Sequence, residues 1–153
     1  MSTDDNTQAR LRRLEDLEEI RNLFIDYGYY LDHGKFADYA RLFAEDAELL
    51  LGPMGRAKGP AAIEEMMQRT LGARVGTSYH VIANPIIRLD GDRATTNVSW
   101  VVVVMGKDGK PALPMIGHHA DIVVRTADGW KFARREGHVD LPGKFVSPEE
   151  QGR

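Results

Sequence analysis

The 153-residue sequence contains no cysteine. Without thiols the chain can form no disulfide, no cysteine-ligated zinc or iron–sulfur site and no cysteine nucleophile. This absence fits a reducing compartment, so we expect a cytoplasmic protein. A large excess of charge of one sign is also lacking, because the net charge is only −3 with 28% charged residues. Such a weak field predicts binding neither to nucleic acid nor to an anionic membrane.

Long apolar runs and the common phosphate and metal motifs are missing as well. No stretch approaches the ~20 apolar residues of a membrane span, and residues 1–19 lack the apolar core of a signal peptide. The sequence has no glycine-rich phosphate loop, no G-x-S-x-G and no H-E-x-x-H. His118 and His119 are adjacent, so on a strand they would point to opposite faces. We therefore expect neither a metal nor a cofactor.

What is present is an ordinary globular composition with 42% hydrophobic residues. A chain of this size can bury about 68–70% of the surface of its unfolded form, which is enough for one core. No linker, repeat or low-complexity segment divides the chain. We predict a loose polar N-terminus over residues 1–9, one domain over residues 10–141 and a tail over residues 142–153.

The apolar spacing of the first half predicts three helices. The first begins at Arg10, carries apolar residues three and four positions apart, and ends at Gly34, which suits the left-handed conformation of a helix stop. The second covers residues 36–45, and a short strand over residues 47–51 follows it. The third covers residues 60–72 and has a proline in its first turn, where proline is tolerated.

Four long strands are predicted in the second half, separated by three aspartate–glycine turn signals. Tight turns make consecutive strands antiparallel, and strands of this length must twist and curl. The predicted fold class is α+β, with a curved antiparallel sheet whose open side is covered by the N-terminal helices, enclosing a pocket. The strands cover residues 77–89, 93–106, 113–126 and 130–139.

The second of these strands is apolar on both faces over residues 98–105. A sheet with one solvated face would alternate apolar and polar residues, so both faces of this strand should be covered. One cover is the core of the domain. The other is a second copy of the chain, so we predict a homo-oligomer, favouring a trimer over a dimer. The alternative is that the C-terminal tail from Leu141 folds back over the strand.

Asp32 and His80 are the first candidates for chemistry. Asp32 lies at the end of the first helix, four residues after Gly28, whose missing side chain would leave open space beside the carboxylate. Histidine is the side chain best suited to proton transfer near neutral pH. Strict alternation back from the end of its strand points His80 outward. A bulge at Asn84-Pro85 would shift the phase and turn it inward.

Two further groups of polar residues lie on the last two strands. His119 and Asp121 share one face of their strand and His118 has the other, which suits either a second acid–base pair or a polar ladder between strands. On the last strand, either Arg134 or Arg135 could enter a pocket, although most arginines at such positions face solvent.

Four segments resemble the SnoaL-like branch of the nuclear transport factor 2-like superfamily over about residues 10–140. The resemblance implies a cone, in which a bent sheet wraps round a pocket and helices close the side. Members of the superfamily include isomerases, polyketide cyclases, dehydratases, hydrolases and non-catalytic binding domains. The segments are YLDHGKF at 30–36, LFAEDA at 42–47, LDGDRA at 89–94, and DIVVRT at 121–126 continuing to DGWKF at 128–132.

Within that branch the chain is most similar to the scytalone dehydratase and hexachlorocyclohexane dehydrochlorinase group, whose members use an Asp–His dyad. The resemblance implies that Asp32 and His80 form this dyad and that Arg135 is the pocket arginine. Tyr30 matches a tyrosine beside the aspartate of the dehydratase. Tyr27 stands where the dehydrochlorinase has a lysine. Because a tyrosine offers only a hydroxyl where a lysine offers a cation, this departure favours a substrate with oxygen functions over a halide.

From these features we predict a cofactor-independent lyase that acts on a small, mostly apolar, aromatic or cyclic substrate carrying oxygen. Water loss and carbon–carbon cleavage with release of a small aldehyde both need the same base. The alternatives are an isomerase or cyclase, which could use Asp121 in place of Asp32, and a non-catalytic ligand-binding or assembly domain. The predicted catalytic residues are Asp32, His80, Arg135 and Tyr30, and the predicted substrate-binding residues are Tyr27, His119, Trp100 and Met115.

Overall fold

The computed structural model describes residues 3–142, which form a helical layer packed on a six-stranded sheet. No helix within those residues is long and apolar enough to cross a membrane. The predicted tail beyond Pro142 lies outside the described residues. The helices are α1 (Thr3–Asp32), α2 (Phe36–Arg41) and α3 (Pro60–Leu71), with 3-10 turns at Gly52–Met54 and Gly72–Arg74. The strands are β1 (Phe43–Leu50), β2 (Arg56–Lys58), β3 (Ser78–Asp90), β4 (Arg93–Met105), β5 (Pro111–Thr126) and β6 (Gly129–Leu141).

Helix α1 begins earlier than its apolar pattern predicts. It starts at Thr3 and not at the predicted Arg10. The first turns are exposed on all sides, which is why apolar periodicity could not reveal them. Asp4 and Asp5 lie in the first turn, where negative charge is favourable at the positive end of the helix dipole. The predicted stop is confirmed, because the helix ends at Asp32 and Gly34, two residues later, has φ +67°.

Helix α2 is shorter than predicted, because it ends at Arg41 and the residues from Phe43 onward belong to β1. The backbone N–H of Phe132 on β6 donates to the carbonyl of Leu42 (2.8 Å), and Phe43 is fully buried. Pairing with β6 therefore overrides the local helical preference of the segment. Strand β1 is correspondingly longer than the predicted 47–51.

The predicted α+β class, with N-terminal helices on a curved sheet, is confirmed. The sheet has the strand order β2-β1-β6-β5-β4-β3 and is mixed, so the predicted antiparallel pairing applies to all neighbours except β1 and β6. The three hairpins from β3 to β6 are antiparallel, as the turn signals predicted. Strand β1 pairs with β6 in parallel. This arrangement is possible because β1 and β6 are joined by the whole intervening chain and not by a tight turn.

A bulge interrupts β3 at the position that the sequence predicted. The register with β4 shifts by one residue between Ala83 and Ile86, and Asn84 adopts φ +53°. Asparagine is one of the few residues other than glycine that tolerates this conformation. After the bulge, the partly buried residues of β3 have odd numbers, such as Ile87. Before the bulge they have even numbers, such as His80, whose side chain turns toward the helices. The bulge thus reverses which residues face the interior.

Helix α1 is attached to the sheet by a buried carboxylate as well as by apolar packing. Asp16 accepts hydrogen bonds from Trp130 Nε1 (3.0 Å) on β6 and Arg125 Nη2 (2.8 Å) on β5. The hydrogen bond from Arg125 outweighs burial and lowers the pKa of Asp16, so the carboxylate stays ionised. Further along α1, Phe24 packs against Phe132. These contacts fix α1 across the concave face of the sheet.

Candidate functional site

A cavity of about 120 Å³ lies between the helices and the concave face of the sheet. Most of its lining is apolar, and the polar groups are few. Its wall includes one end of α1, part of α3, the first half of β3 and the middle of β4, β5 and β6. The lining residues are Tyr27, Leu31, Tyr39, Leu51, Met54, Met67, Leu71, Arg74, Ser78, His80, Trp100, Val102, Met115, His119, Gly137 and Val139.

Asp32 and His80 are in direct contact at the wall of this cavity. His80 Nδ1 lies 2.6 Å from Asp32 Oδ1, and the backbone N–H of His80 donates to both carboxylate oxygens at 3.0 Å. The side chain of Asp32 is 6% exposed and that of His80 is 10% exposed. Because Nδ1 is engaged by the carboxylate, Nε2 is the ring nitrogen left for a ligand. The two residues predicted as an acid–base pair are therefore brought together, although 48 positions separate them in the chain.

Close packing of α1 on β3 makes this contact possible. Gly28 was expected to leave open space beside the carboxylate, but that expectation is wrong. A Cβ atom at Gly28 would lie 3.2 Å from Ile82 Cγ1 and 3.9 Å from the carbonyl oxygen of His80. The missing side chain thus lets the helix approach the strand closely, which is a common use of glycine in packed elements.

We expect Gly28→Val to lower the free energy of unfolding by about 1–3 kcal/mol, the usual cost of overpacking, because the added methyl groups would push α1 away from β3. The same displacement would lengthen the contact between Asp32 and His80. Urea unfolding measures the stability, and the truncation Ile82→Ala in the Gly28→Val background should recover part of the loss. Equal stabilities of Gly28→Val and the parent would contradict the close approach.

Three side chains predicted to bind substrate, Tyr27, Trp100 and His119, line the same cavity as His80 and carry hydrogen-bonding groups. The Tyr27 ring packs edge-on against His80 and His119, with centroids 6.1 and 5.3 Å apart. Burial raises the pKa of Tyr27 to about 12, so its hydroxyl stays protonated and can donate. Burial, reinforced by Arg135, lowers the pKa of His119 well below its ordinary value, so its ring is neutral. Trp100 Nε1 and His119 Nδ1 are buried without a partner among the described residues.

Arg135 lies beneath this group and not in the cavity wall. Its Nε and Nη2 donate to Asp121 at 2.8 and 2.9 Å, and Thr96 Oγ1 donates to the same carboxylate at 3.0 Å. The guanidinium carbon lies 4.4 Å from the centroid of the Tyr27 ring. Arg135 is thus the inward arginine, but it is separated from the cavity by Tyr27. Asp121 is used as the partner of Arg135, which leaves it no route to a ligand.

Other predicted residues lie away from the cavity. Tyr30 does not line it, because it lies one position off the inward stripe of α1 that ends at Leu31, and its ring contacts Tyr29 instead. His118 faces the other side of the sheet, where its Nδ1 lies 2.8 Å from Asp140. Arg134 is exposed and pairs with Glu136.

Several cavity residues were not predicted from the sequence. Met115, predicted to bind substrate, does line the cavity, but Met54 and Met67 line it as well and were not among the predicted site residues. The apolar stripe of α3 could have indicated Met67. No pattern in the sequence indicated Arg74, which follows α3 in a 3-10 turn. Within residues 3–142, no three His, Asp or Glu side chains are grouped so that they could hold a metal ion.

Comparisons with known proteins agree with this architecture. A solved NTF2-like protein with a cystatin-like fold from Novosphingobium aromaticivorans is 30% identical, with a TM-score of 0.86 over 99% of this chain and 96% of that chain. The uncharacterized protein Rv2910c of Mycobacterium tuberculosis is 29% identical over 133 residues, which are 86% of this chain and 90% of that protein.

Two further solved structures of lower identity share the fold. The solved structure of LinA is 20% identical with a TM-score of 0.77, over 86% of this chain and 90% of that chain. A scytalone dehydratase-like protein of N. aromaticivorans is 24% identical with a TM-score of 0.69, over 88% and 89%. At these identities the likeness is one of fold. The model of the SnoaL-like domain matches residues 12–136, and the chain therefore belongs to the SnoaL-like family of the nuclear transport factor 2-like fold.

Proposed function

We propose that this protein is a cofactor-independent lyase in which His80 is the general base and Asp32 holds it in place. The observation that carries the proposal is the 2.6 Å contact between His80 Nδ1 and Asp32 Oδ1 at the wall of a mostly apolar cavity. An Asp-bound histidine has a fixed tautomer, with the proton on Nδ1 and the lone pair of Nε2 directed away from the carboxylate. The likeness to a scytalone dehydratase-like protein and to LinA agrees with the sequence resemblance and gives the proposal further support.

The proposed reaction is the removal of water across a carbon–carbon bond. His80 Nε2 takes a proton from an activated C–H, the electrons of that bond form the new C=C bond, and the hydroxyl leaves with its electron pair. The proton on His80 then goes to the departing oxygen, so that water is released and the histidine returns to its neutral form. Asp32 stabilises the imidazolium between these two steps.

Neutral hydrogen-bond donors would stabilise charge that develops on a substrate oxygen. The protonated hydroxyl of Tyr27 and the N–H groups of Trp100 and His119 are the candidates. Because His119 is held neutral, it acts here as a donor and not as the acid that protonates the leaving group. Arg135 contributes through its electrostatic effect on Tyr27, since its guanidinium lies against that ring. Tyr30 has no part in this scheme.

Proton abstraction can be tested without knowing the leaving group. The protein is incubated with candidate phenyl ketones or hydroxy ketones in D₂O, and deuterium incorporation at the activated carbon is followed by NMR. The parent protein should catalyse this incorporation, and His80→Gln should not. The control is His33→Gln, which changes an exposed histidine whose Nδ1 lies 2.8 Å from the carbonyl oxygen of Tyr29 and which does not line the cavity. Exchange that persists in His80→Gln would disprove the role of His80. Product analysis by mass then separates loss of water from loss of an aldehyde or from isomerisation without loss of mass.

An assembly role is supported by the outer face of the sheet. Val81, Val101 and Ile116 lie in one row across β3, β4 and β5, and Tyr79 pairs with Val103 in the next. Tyr79 and Val81 are 59% and 44% exposed. We propose that this outer apolar patch is the contact between copies of the chain in a homo-oligomer, with a trimer favoured, because exposed apolar patches of this kind mark interfaces.

We expect Val101→Glu to convert the oligomer to a monomer, because a buried unpaired carboxylate is strongly unfavourable in an apolar interface. Sedimentation velocity measures the mass. Thr95→Glu is the matched control, since Thr95 is exposed on the same face of the same strand. An unchanged mass in Val101→Glu, or a parent protein that is already monomeric, would contradict the proposed interface.

A further inference from the structure

The wall of the cavity contains a single permanently charged side chain, Arg74, and no carboxylate among the described residues. We propose that the substrate of this pocket carries an anionic group, a carboxylate in the first instance, that binds the guanidinium of Arg74. The inference rests on the proposed function for the identity of the pocket as a substrate site. It adds the chemical class of the substrate and a residue that determines specificity.

The guanidinium of Arg74 is available for such a contact. Within residues 3–142 it forms neither an ion pair nor a hydrogen bond, whereas other arginines of the domain, including Arg125 and Arg135, bind carboxylates. Arg74 is exposed and also lines the cavity, so it lies where the cavity meets solvent. Guanidinium groups bind carboxylates through two parallel hydrogen bonds, which gives both orientation and affinity.

The backbone of Arg74 is tied to the strand that carries His80. The carbonyl of Arg74 accepts hydrogen bonds from the backbone N–H of Thr77 (2.9 Å), from Thr77 Oγ1 (3.0 Å) and from Ser78 Oγ (3.4 Å). Ser78 is the first residue of β3, two positions before His80, and it also lines the cavity. These bonds fix the backbone of Arg74 relative to β3, so its side chain reaches the cavity from a point next to the strand that carries His80.

The other charged groups near the cavity do not cancel the field of Arg74. Asp32 is behind His80 and is bound by it. Arg135 and Asp121 neutralise each other in a closed pair, and His119 is neutral. The remaining lining is uncharged, so the cavity offers a positive potential at its mouth and an apolar interior. That combination suits an amphipathic anion, with its apolar body inside and its charge toward solvent.

The size of the cavity limits the apolar body to about one ring. An engineered cavity of about 150 Å³ in another protein binds benzene, and the cavity here is about 120 Å³. A single ring fills it, and the rest of the molecule extends toward the mouth, where Arg74 lies. The inferred substrate class is a monocyclic aryl compound with a short acidic side chain, which narrows the earlier expectation of aromatic or cyclic compounds.

The test compares cinnamate with cinnamamide, which have the same shape and differ in charge, by calorimetry at low ionic strength. The parent protein should bind cinnamate more tightly than cinnamamide. Arg74→Gln should weaken the binding of cinnamate at least about fivefold, as expected for a charge-assisted contact near solvent. The affinity for cinnamamide should not change. Arg74→Lys should retain part of the preference, since it keeps the charge without the fork.

Arg69→Gln is the matched control, because Arg69 is an exposed arginine of α3 that does not line the cavity and lies 4.0 Å from Glu65. The inference is overturned if the two probes bind the parent equally, if neither binds, or if Arg69→Gln weakens cinnamate as much as Arg74→Gln. These binding experiments require no turnover. If the parent protein catalyses no deuterium exchange but still prefers cinnamate through Arg74, only the proposed lyase is contradicted. If exchange depends on His80 but the charge preference is absent, only the role of Arg74 is contradicted.

Discussion

Asp121→Ala is expected to lower the free energy of unfolding by about 3–5 kcal/mol, the usual cost of removing one partner from a buried ion pair. Arg135 is fully buried, and its side chain is held among the rings of Phe24, Tyr27 and Phe132. Burial alone would lower the pKa of Arg135, but the charge and hydrogen bonds of Asp121 raise it, so the guanidinium stays protonated. Without Asp121 that charge would be left in an apolar site with no counter-ion.

Chemical denaturation with fluorescence detection measures this loss, and a lower transition midpoint at unchanged slope would assign it to the folded state. The double variant Asp121→Leu/Arg135→Met should regain most of the stability, because it removes both charges and keeps the volume apolar. Arg134→Ala is the control, since Arg134 is the adjacent, exposed arginine. If Asp121→Ala were no more destabilising than Arg134→Ala, the pair would not be a structural element of the core.

His80→Gln is expected to lower turnover of the true substrate by about 10²–10⁴-fold, the range that a general base contributes. Glutamine keeps a polar side chain of similar size but cannot accept a proton from carbon. Asp32→Asn should also lower turnover with the fold retained, because an amide can bond to Nδ1 but cannot stabilise a positive charge on the ring. Substrate binding should change little in either variant, so the loss should fall on kcat and not on KM.

Two measurements separate this prediction from a purely structural role. The ¹⁵N spectrum of His80 should show the tautomer with the proton on Nδ1 in the parent and a changed tautomer balance in Asp32→Asn. The unfolding midpoints of His80→Gln and Asp32→Asn should remain above the assay temperature, so that lost activity is not lost structure. Full turnover by His80→Gln would exclude it as the base, whatever the spectrum shows.

The β-rich half of the fold can be predicted from the sequence because the signals for its strands and turns are local. Each hairpin has its own aspartate–glycine turn, and the proline at position 85 indicates the bulge in β3. The proximity of Asp32 and His80 is different. It depends on how α1 crosses β3, at Gly28 and Ile82, and no spacing within the chain encodes that crossing. Only the resemblance to a family brings these two residues into one prediction.

The inward arginine shows a further limit of pattern reasoning. Trp130 and Phe132 are buried on β6, so strict alternation would turn Arg134 inward, yet Arg135 is the buried one. The register between β5 and β6 shifts between Ile122 and Val123, and this irregularity moves the phase of β6 by one residue. No proline or glycine marks the shift on β6, so the sequence offers no sign of it. The parallel pairing of β1 with β6 is likewise a long-range outcome without a local signal.

The bulge in β3 makes the character of the cavity wall depend on one residue. Asn84 lies within the segment that gives β3 one residue more than β4 between Ala83 and Ile86. Deleting Asn84 would restore regular alternation, turn Tyr79 and Val81 toward the cavity, and send His80 to the outer face. A single-codon deletion would thus replace the histidine in the cavity wall by mainly apolar side chains within the same fold. Such a step would separate the proposed lyase from a simple binding protein by one residue.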